Sequence, residues 1–457
     1  MSSFSLSRRE LLLGLGAIGL QAPLWGFGKA KPAPRPERVI VVGAGVSALA
    51  AVTTLKKHGI HEVILLEARD RVGGRIWTSR RWQQQPVDLG ASWIHGRRRN
   101  PITRLAKEAE APFQVTDEDN MMLFGPQGNE LSALEEKELE KLGARVYQAI
   151  YQGTLDPKLS LEKALEAWKP KATAAEQKRL RFLLHMLVEL EAAEDADKLS
   201  AGLYGFGKDF GGSDLFLSQG YDQVFAPLYQ GLDLRLNQTV KRIHWNAGGI
   251  SVETQEGELQ ADKLILTLPL GVLKQAEALQ VDPGWPEAKQ KAIRRLGMGC
   301  MNKVILRFPE AFWPKEVEAF FRMTPPPERW SNWLNLMAYN GEPLLLSFMV
   351  GEQGRRLEKQ SDPAIQEEAM ASLRKQFGRD IPEPTGIQVS RWASDPFSYG
   401  SYSCLPPGAT QKDIRRLAQP IEDRVFFAGE ATHWDYNSTV HGAWLSGVRE
   451  AERILKG

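Results

Sequence analysis

Residues 38–75 read RVIVVGAGVSALAAVTTLKKHGIHEVILLEARDRVGGR. The run Val39 to Val42 has the length and β-branched character of a strand buried on both faces. It runs into Gly43-Ala44-Gly45-Val46-Ser47-Ala48, a GxGxxA turn. Gly43 permits the sharp turn from strand to helix, Gly45 lets backbone approach a pyrophosphate, and small Ala48 lets the next helix pack on the strand. That helix, entered through Ser47, presents free N–H groups and its positive dipole end to phosphates. A second strand, Glu62 to Leu66, delivers Glu67, 24 residues after Gly43, as an acceptor for a ribose hydroxyl. Strand, turn, helix, strand and acid in that order predict a Rossmann-like dinucleotide fold. Arg69 and Arg75 with the pair Gly73-Gly74 set cations and a second close approach beside the pyrophosphate, which favours a flavin over a nicotinamide dinucleotide.

The chain has 457 residues, 42% hydrophobic and 25% charged, with a formal net charge of +2. That length implies two domains, and the absence of a basic block argues against nucleic acid as a partner. Ser7-Arg8-Arg9-Glu10-Leu11-Leu12, followed by a glycine-broken apolar run to Leu20, reads as a twin-arginine export signal. Gly28 and Ala30 are spaced for cleavage. The run is short for a membrane span, so the mature protein is expected to be exported, periplasmic in a bacterium, with no stable membrane insertion. Residues 31–37, rich in proline, are a stiff tether. Cys300 and Cys404 are the only cysteines and are expected as buried free thiols.

Further blocks recur downstream: Asp88-Leu89-Gly90-Ala91-Ser92-Trp93-Ile94-His95-Gly96, Phe427-Ala428-Gly429-Glu430 and Thr439-Val440-His441-Gly442-Ala443. With ARDRVGGR they resemble the flavin-containing amine oxidases, a family that includes monoamine oxidases, polyamine oxidases and lysine-specific histone demethylases. The resemblance covers nearly the whole chain after residue 37. It implies an α/β fold in which a Rossmann-like FAD-binding domain (38–96, 215–275 and 385–457) is interleaved with an α+β substrate-binding domain (97–214 and 276–384).

The resemblance also implies roles. Ser92 and Trp93 would contact flavin, the backbone of Val240 the adenine, Glu430 the ribityl or phosphate region, and the N–H of Val440 the reduced ring. Lys303 would hold a water against flavin N5. His95, in a GASWIHG context similar to polyamine oxidases, would line the substrate tunnel. Tyr402 would be one wall of an aromatic cage, with Trp392 close by. Monoamine oxidases attach flavin through a cysteine just before that tyrosine. Here Ser401 stands there, which implies non-covalent FAD. Thr439 replaces a second cage tyrosine and opens that side. Of the acids Glu191, Glu194, Asp195 and Asp197, Glu194 is the candidate for attracting a cationic substrate. His95, Lys303 and Tyr402 are thus the catalytic candidates.

The function so implied is oxidation of a C–N bond in a polyamine-like amine, by hydride transfer to flavin N5, with oxygen reduced to hydrogen peroxide. Open alternatives are a primary-amine or L-amino-acid oxidase, a desaturase, and an electron-transfer flavoprotein that makes no peroxide. Histone demethylation is disfavoured by the export signal and the lack of a tower segment. The preferred amine, the bond cleaved and the oligomeric state stay open.

Between the motifs, helix-period segments fall at Leu131 to Ile150 and Leu161 to Leu190, with a helix at Glu287 to Leu296. A β-meander turning at Gly248-Gly249 follows Leu236, and KLILTL returns to the parallel sheet. Asn302 to Phe308 and PLLLSFMV are buried strands of one sheet. The closing helix, His441 to Lys456, is expected to pack a stripe of Leu445, Val448, Ala451 and Leu455.

Overall fold

A computed structural model describes residues 38–457 except 84, 152–154, 167–172 and 325–328. The export signal and the tether lie outside the described residues, as does part of the segment expected to be helical from Leu161 to Leu190.

Val39–Val42 is the middle of a five-stranded parallel sheet in the spatial order Val425–Phe427, Lys263–Leu266, Val39–Val42, Val63–Leu66, Asp233–Arg235. Its apolar run is buried on both sides for a simple reason: the sheet is covered on both. Val39, Val41 and Leu65 meet Ala48, Ala51 and Leu55 of helix Val46–Lys57 and Ala451 and Ile454 of the closing helix, Val440–Lys456. The alternate residues Ile40, Val42, Ile64 and Leu66 meet Ile243, Trp245, Ile250 and Val252 of the meander. Continuous hydrophobicity in the sequence therefore matches two covers in the fold.

The meander forms as expected from Val240–Asn246, Gly249–Thr254 and Gly257–Ala261, and a fourth strand, Gln280–Asp282, joins it. That strand lies beyond the boundary expected at 275. A boundary expected at 385 also moves: Gly386–Val389 is an edge strand of the other large sheet, paired with Met301–Arg307. In both places a strand still needs its ladder partner, so the chain crosses between layers a few residues later.

The second large sheet has six strands, in the order Gly386–Val389, Met301–Arg307, Leu344–Val350, Asn332–Asn335, Ala319–Arg322, Met121–Phe124. Val304 and Leu306 point to the side packed by Ile365, Ala369, Met370 and Leu373 of helix Asp362–Phe377. Lys303 and Ile305 point to the opposite side, as the period of two requires. A small sheet of Trp93–Ile94, Leu215–Leu217 and Phe113–Val115 stands against that second face.

Helices Ala133–Tyr151 and Ala174–Leu184 form within the charged segments, and the latter passes through a π-helical turn, His185–Glu189. The closing helix departs from the expected stripe. Of that stripe Ala451 is buried, whereas Leu445, Val448 and Leu455 are only half-buried, and Trp444, Gly447 and Ile454 are among the other buried positions. Close approach explains this: a Cβ on Gly447 would stand 2.0 Å from the carbonyl oxygen of Ser47, so the two helices cross where the residue is smallest. Both cysteines are buried and free, and burial pushes the Cys404 thiol up to about 12.

Candidate active site

The glycine turn is built as the sequence requires. Gly43 has φ +99°, a conformation side chains rarely adopt. Gly73, also at positive φ, donates its N–H to the Ala44 carbonyl (2.9 Å), which ties the Gly73-Gly74 pair against the turn. Helix Val46–Lys57 starts at Gly45 with no side-chain cap, and a Cβ on Gly45 would meet only the Gly73 carbonyl, at 4.0 Å. An uncapped helix N-terminus behind glycine backbone is a cradle for phosphate. Glu67 is buried at the end of its strand and accepts from the N–H of Ala44 (2.7 Å) and of Arg69 (2.9 Å), while its carbonyl accepts from Gln238, two residues before Val240. Glycine turn, acid and meander thus converge, and these residues fit a dinucleotide.

The cations do not all reach that cradle. Arg69 forms a two-point ion pair with Asp395, both side chains largely buried. Arg75 pairs with Glu430 (2.8 Å) and donates to the Ser401 carbonyl (2.9 Å). Glu430 is buried and also accepts from Ser403 Oγ (2.6 Å) and Ser438 N (3.0 Å), so protein donors take up the acid expected beside the ribityl chain. A buried carboxylate needs such compensation. Thr439, expected as the open side of a cage, accepts from the Gly442 N–H through its Oγ and caps the closing helix, whose first residue is Val440.

Lys303 is only 4% exposed. Its Nζ donates to the carbonyls of Asp88 (3.0 Å) and Gly90 (2.6 Å) and to Ser92 Oγ (2.5 Å). The loop that accepts these bonds cannot carry a side chain at its centre, because a Cβ on Gly90 would lie 1.9 Å from the Arg75 carbonyl. Burial pulls the lysine down to about 8 against the opposing pull of Asp88, and burial likewise pushes Asp88 up to about 6. Asp88 itself accepts from Thr78 Oγ1 and Tyr221 N. The rings of Trp93 (5.7 Å) and Phe348 (5.9 Å) flank the ammonium, Phe348 being its cross-strand partner.

Strand alternation gathers the rest. Met301 lies on the Lys303 face, two residues away, and the Tyr402 hydroxyl lies 3.8 Å from its sulfur while donating to the Glu191 carbonyl (2.9 Å). On the short strand Trp93–Ile94, Ile94 goes to the core under the first helix, so Trp93 and His95 share the other side. His95 is held through Nδ1 by Asp214 (2.7 Å), and its side chain is 58% exposed. Partial desolvation pulls its pKa down, but the Asp214 bond and charge, with Glu191 and Glu118, hold it above the ordinary histidine value.

Two residues expected to meet the substrate are engaged by protein partners. Glu194 is buried in a two-point ion pair with Arg355 and faces Lys198 as well. The acid whose charge reaches both His95 and Tyr402 is Glu191, the other end of the same cluster. Trp392 is buried beneath the 88–92 loop, its indole N–H donating to the Leu89 carbonyl (3.0 Å) and its ring edge-on to Trp77. Asp88, Asp214, Phe348 and Glu191 were not singled out from sequence. The first two carry a signal only in pairing, since each bonds a residue brought by another strand. His441, whose ring stands edge-on to Phe210 and Tyr436, is also in this group, and burial next to His95 pulls it down to about 3.

Among the described residues no group of histidine, cysteine, aspartate or glutamate side chains could hold a metal ion, and no helix is long and apolar enough to cross a membrane. The chain is 35% identical over 440 residues to polyamine oxidase 4 of Oryza sativa subsp. japonica, a match that covers 92% of this chain and 89% of that one. It is 33% identical to lysine-specific histone demethylase 1 homolog 1 of Arabidopsis thaliana, over 99% of this chain but only 56% of the relative. A solved structure of putrescine oxidase has the same fold, with a TM-score of 0.73 at 21% identity, over 91% of this chain and 98% of that one. Residues 47–455 match the family model for flavin-containing amine oxidoreductases, and the chain belongs to that family, with the flavin cofactor that membership entails.

Proposed function

We propose that the protein is an FAD-dependent oxidase that breaks a C–N bond of a polyamine-like substrate and passes the electrons to oxygen. The observation that carries this reading is the buried Lys303, held by the 88–92 loop between the rings of Trp93 and Phe348, with Tyr402 against Met301 on the same strand face. Relatives of similar length bear the name polyamine oxidase, which supports the substrate class.

Gly43, Gly45, Ser47 and Glu67 would hold the dinucleotide of FAD in the glycine cradle, and the backbone of Val240 would meet its adenine. Non-covalent attachment is supported by Ser401, whose Oγ accepts from the Met301 N–H and donates to the Met301 carbonyl, a purely structural duty. When bound, the flavin would supply the hydride acceptor and then the reductant for oxygen. The chain's own residues prepare the amine. Free alkylamines titrate near the lysine value of ~10, and the walls of Tyr402, Trp93 and Phe348 penalise the charged form. Glu191 and the half-open His95 hold a second nitrogen at the mouth. Lys303 keeps or moves a proton at Nζ within reach of Ser92 Oγ. The iminium product then hydrolyses to a carbonyl compound and a smaller amine. The same proposal places the mature protein outside the cytoplasm, exported folded, with amine and oxygen as its partners and no nucleic acid.

The test is oxygen uptake and peroxide release by purified protein with spermidine, spermine, putrescine, tyramine and leucine, under air and under nitrogen. Preferred turnover of spermidine or spermine with stoichiometric peroxide is expected. Flavin reduction without peroxide would point to a dehydrogenase, and preference for leucine or tyramine would overturn the substrate class.

A further inference from the structure

Asp214 stands just before the strand Leu215–Leu217, which pairs antiparallel with Trp93–Ile94 in the register Ile94 to Leu215. That register sets Asp214 opposite His95. Both of its carboxylate oxygens are committed there, Oδ2 to His95 Nδ1 (2.7 Å) and Oδ1 to the Gly96 N–H (2.8 Å). Its backbone is pinned from the other neighbour, since Thr116 donates its N–H (3.0 Å) and its Oγ1 (3.2 Å) to the Asp214 carbonyl. The side chain is 11% exposed, whereas that of His95 is 58% exposed. Asn100 holds the same histidine from behind, donating Nδ2 to its carbonyl (2.9 Å). The imidazole is thus clamped at one nitrogen, and among the described residues nothing hydrogen-bonds the other.

We propose that Asp214 is the positioning residue for His95: it fixes the ring with its proton on Nδ1 and presents Nε2 as the acceptor for an N–H of the amine substrate. The substrate half of this inference rests on the function proposed above; the clamp does not. A carboxylate on one ring nitrogen selects the tautomer and stabilises the imidazolium that forms when the other nitrogen takes a proton. The charges facing His95 are Asp214 on its partner strand, Glu191 from the helical segment, Glu118 from the loop after Thr116, and His441 at the start of the closing helix. The three acids favour the protonated ring. His441, held neutral by burial, does not compete.

The experiment is a 15N imidazole NMR titration of flavin-loaded, full-chain protein, run beside the pH profile of kcat/KM for spermidine, on wild type, Asp214→Asn, His95→Asn and the double variant. Expected is a His95 titrating above ~6.5, the ordinary histidine value, and carrying its proton on Nδ1 once neutral. In Asp214→Asn, which can still accept from Gly96, that titration falls by a unit or more and the limb of the profile shifts with it, while kcat/KM on the plateau above the titration, where both rings are neutral, drops about tenfold as the Nδ1-protonated tautomer is lost. In the His95→Asn background the Asp214→Asn change has no further effect. A wild-type ring protonated on Nε2, an unmoved titration, or an undiminished loss in the double variant overturns the proposal. Wild type alone reports the tautomer, so a poorly folding variant does not spare it. If the tautomer is as expected but no amine is oxidised, the functional reading fails and the clamp stands.

Discussion

A lysine on a central strand is costly to bury unless each of its donors finds an acceptor, and the 88–92 loop supplies three of them to Lys303. Periodicity could mark the strand but not this arrangement, because the acceptors come from more than 200 residues away and lysines on strands ordinarily face solvent. Family resemblance alone pointed to it. Lys303→Met is expected to slow one flavin half-reaction by roughly 10²–10³-fold, the range of a lost proton-handling group, and stopped-flow reduction and reoxidation measured separately will show which. The sign of its pH linkage is also fixed. With the folded value near 8 and an unfolded value near 10.5, the unfolded chain binds the extra proton, so wild-type stability gains from this residue as pH rises between the two, and Lys303→Met loses that gain in denaturant melts. The choice among the acids is where contact adds most to sequence at the residue scale. A cluster of acids looks uniform in sequence, but only contact tells that Arg355 neutralises Glu194 while Glu191 lies by Tyr402 and His95. Glu191→Gln is therefore expected to raise KM for spermidine about tenfold without loss of stability. Glu194→Gln is expected to cost about 1–3 kcal/mol by leaving Arg355 without its partner, with little change in KM. The reverse pattern would restore Glu194 to the substrate path.

At the scale of elements, what could be read depended on whether local pattern or tertiary distance decides. The strand Val39–Val42 was legible because both of its faces are covered, which leaves an unbroken apolar run. The closing helix was legible as a helix but only in part in its contact face, where Ala451 was expected and Gly447 was not. Large leucines looked like the stripe, whereas the crossing with helix Val46–Lys57 is made by Gly447 and Ala451, where backbones come closest. The Cβ added in Gly447→Ala would stand 2.0 Å from Ser47 O and 2.9 Å from Ala50 Cβ, so the helices must separate. A loss of roughly 1–3 kcal/mol in denaturant unfolding is expected, the usual cost of overpacking. Because Ser47 belongs to the first turn of the helix that backs the glycine cradle, flavin should also be retained less tightly. Equal loss of stability with unchanged flavin affinity would separate the helix crossing from the cradle.

For the molecule as a whole, sequence blocks far apart proved to be one assembly, and this bears on how the protein could leave the cytoplasm. Residues 39–42 sit at the middle of the parallel sheet, residues 425–427 at one edge, and the closing helix packs across the first helix. Arg75, directly after the glycine pair, is anchored by Glu430 and by the Ser401 carbonyl. The supports of the cofactor cradle therefore come from both ends of the chain, and the cradle is complete only once the last helix has been made and folded. A route that threads unfolded chain would deliver the protein without its flavin, whereas the twin-arginine route, proposed here on Arg8 and Arg9, is one for folded cargo. In a bacterial host, changing Arg8 and Arg9 to lysine is expected to leave yellow, active enzyme in the cytoplasm. Replacing residues 1–30 by a leader for the unfolded route should put the chain outside the cytoplasm, colourless and inactive until FAD is added. Flavin-loaded, active protein from that second leader would show that the cradle fills after export, and the link between discontinuous fold and export route would be wrong.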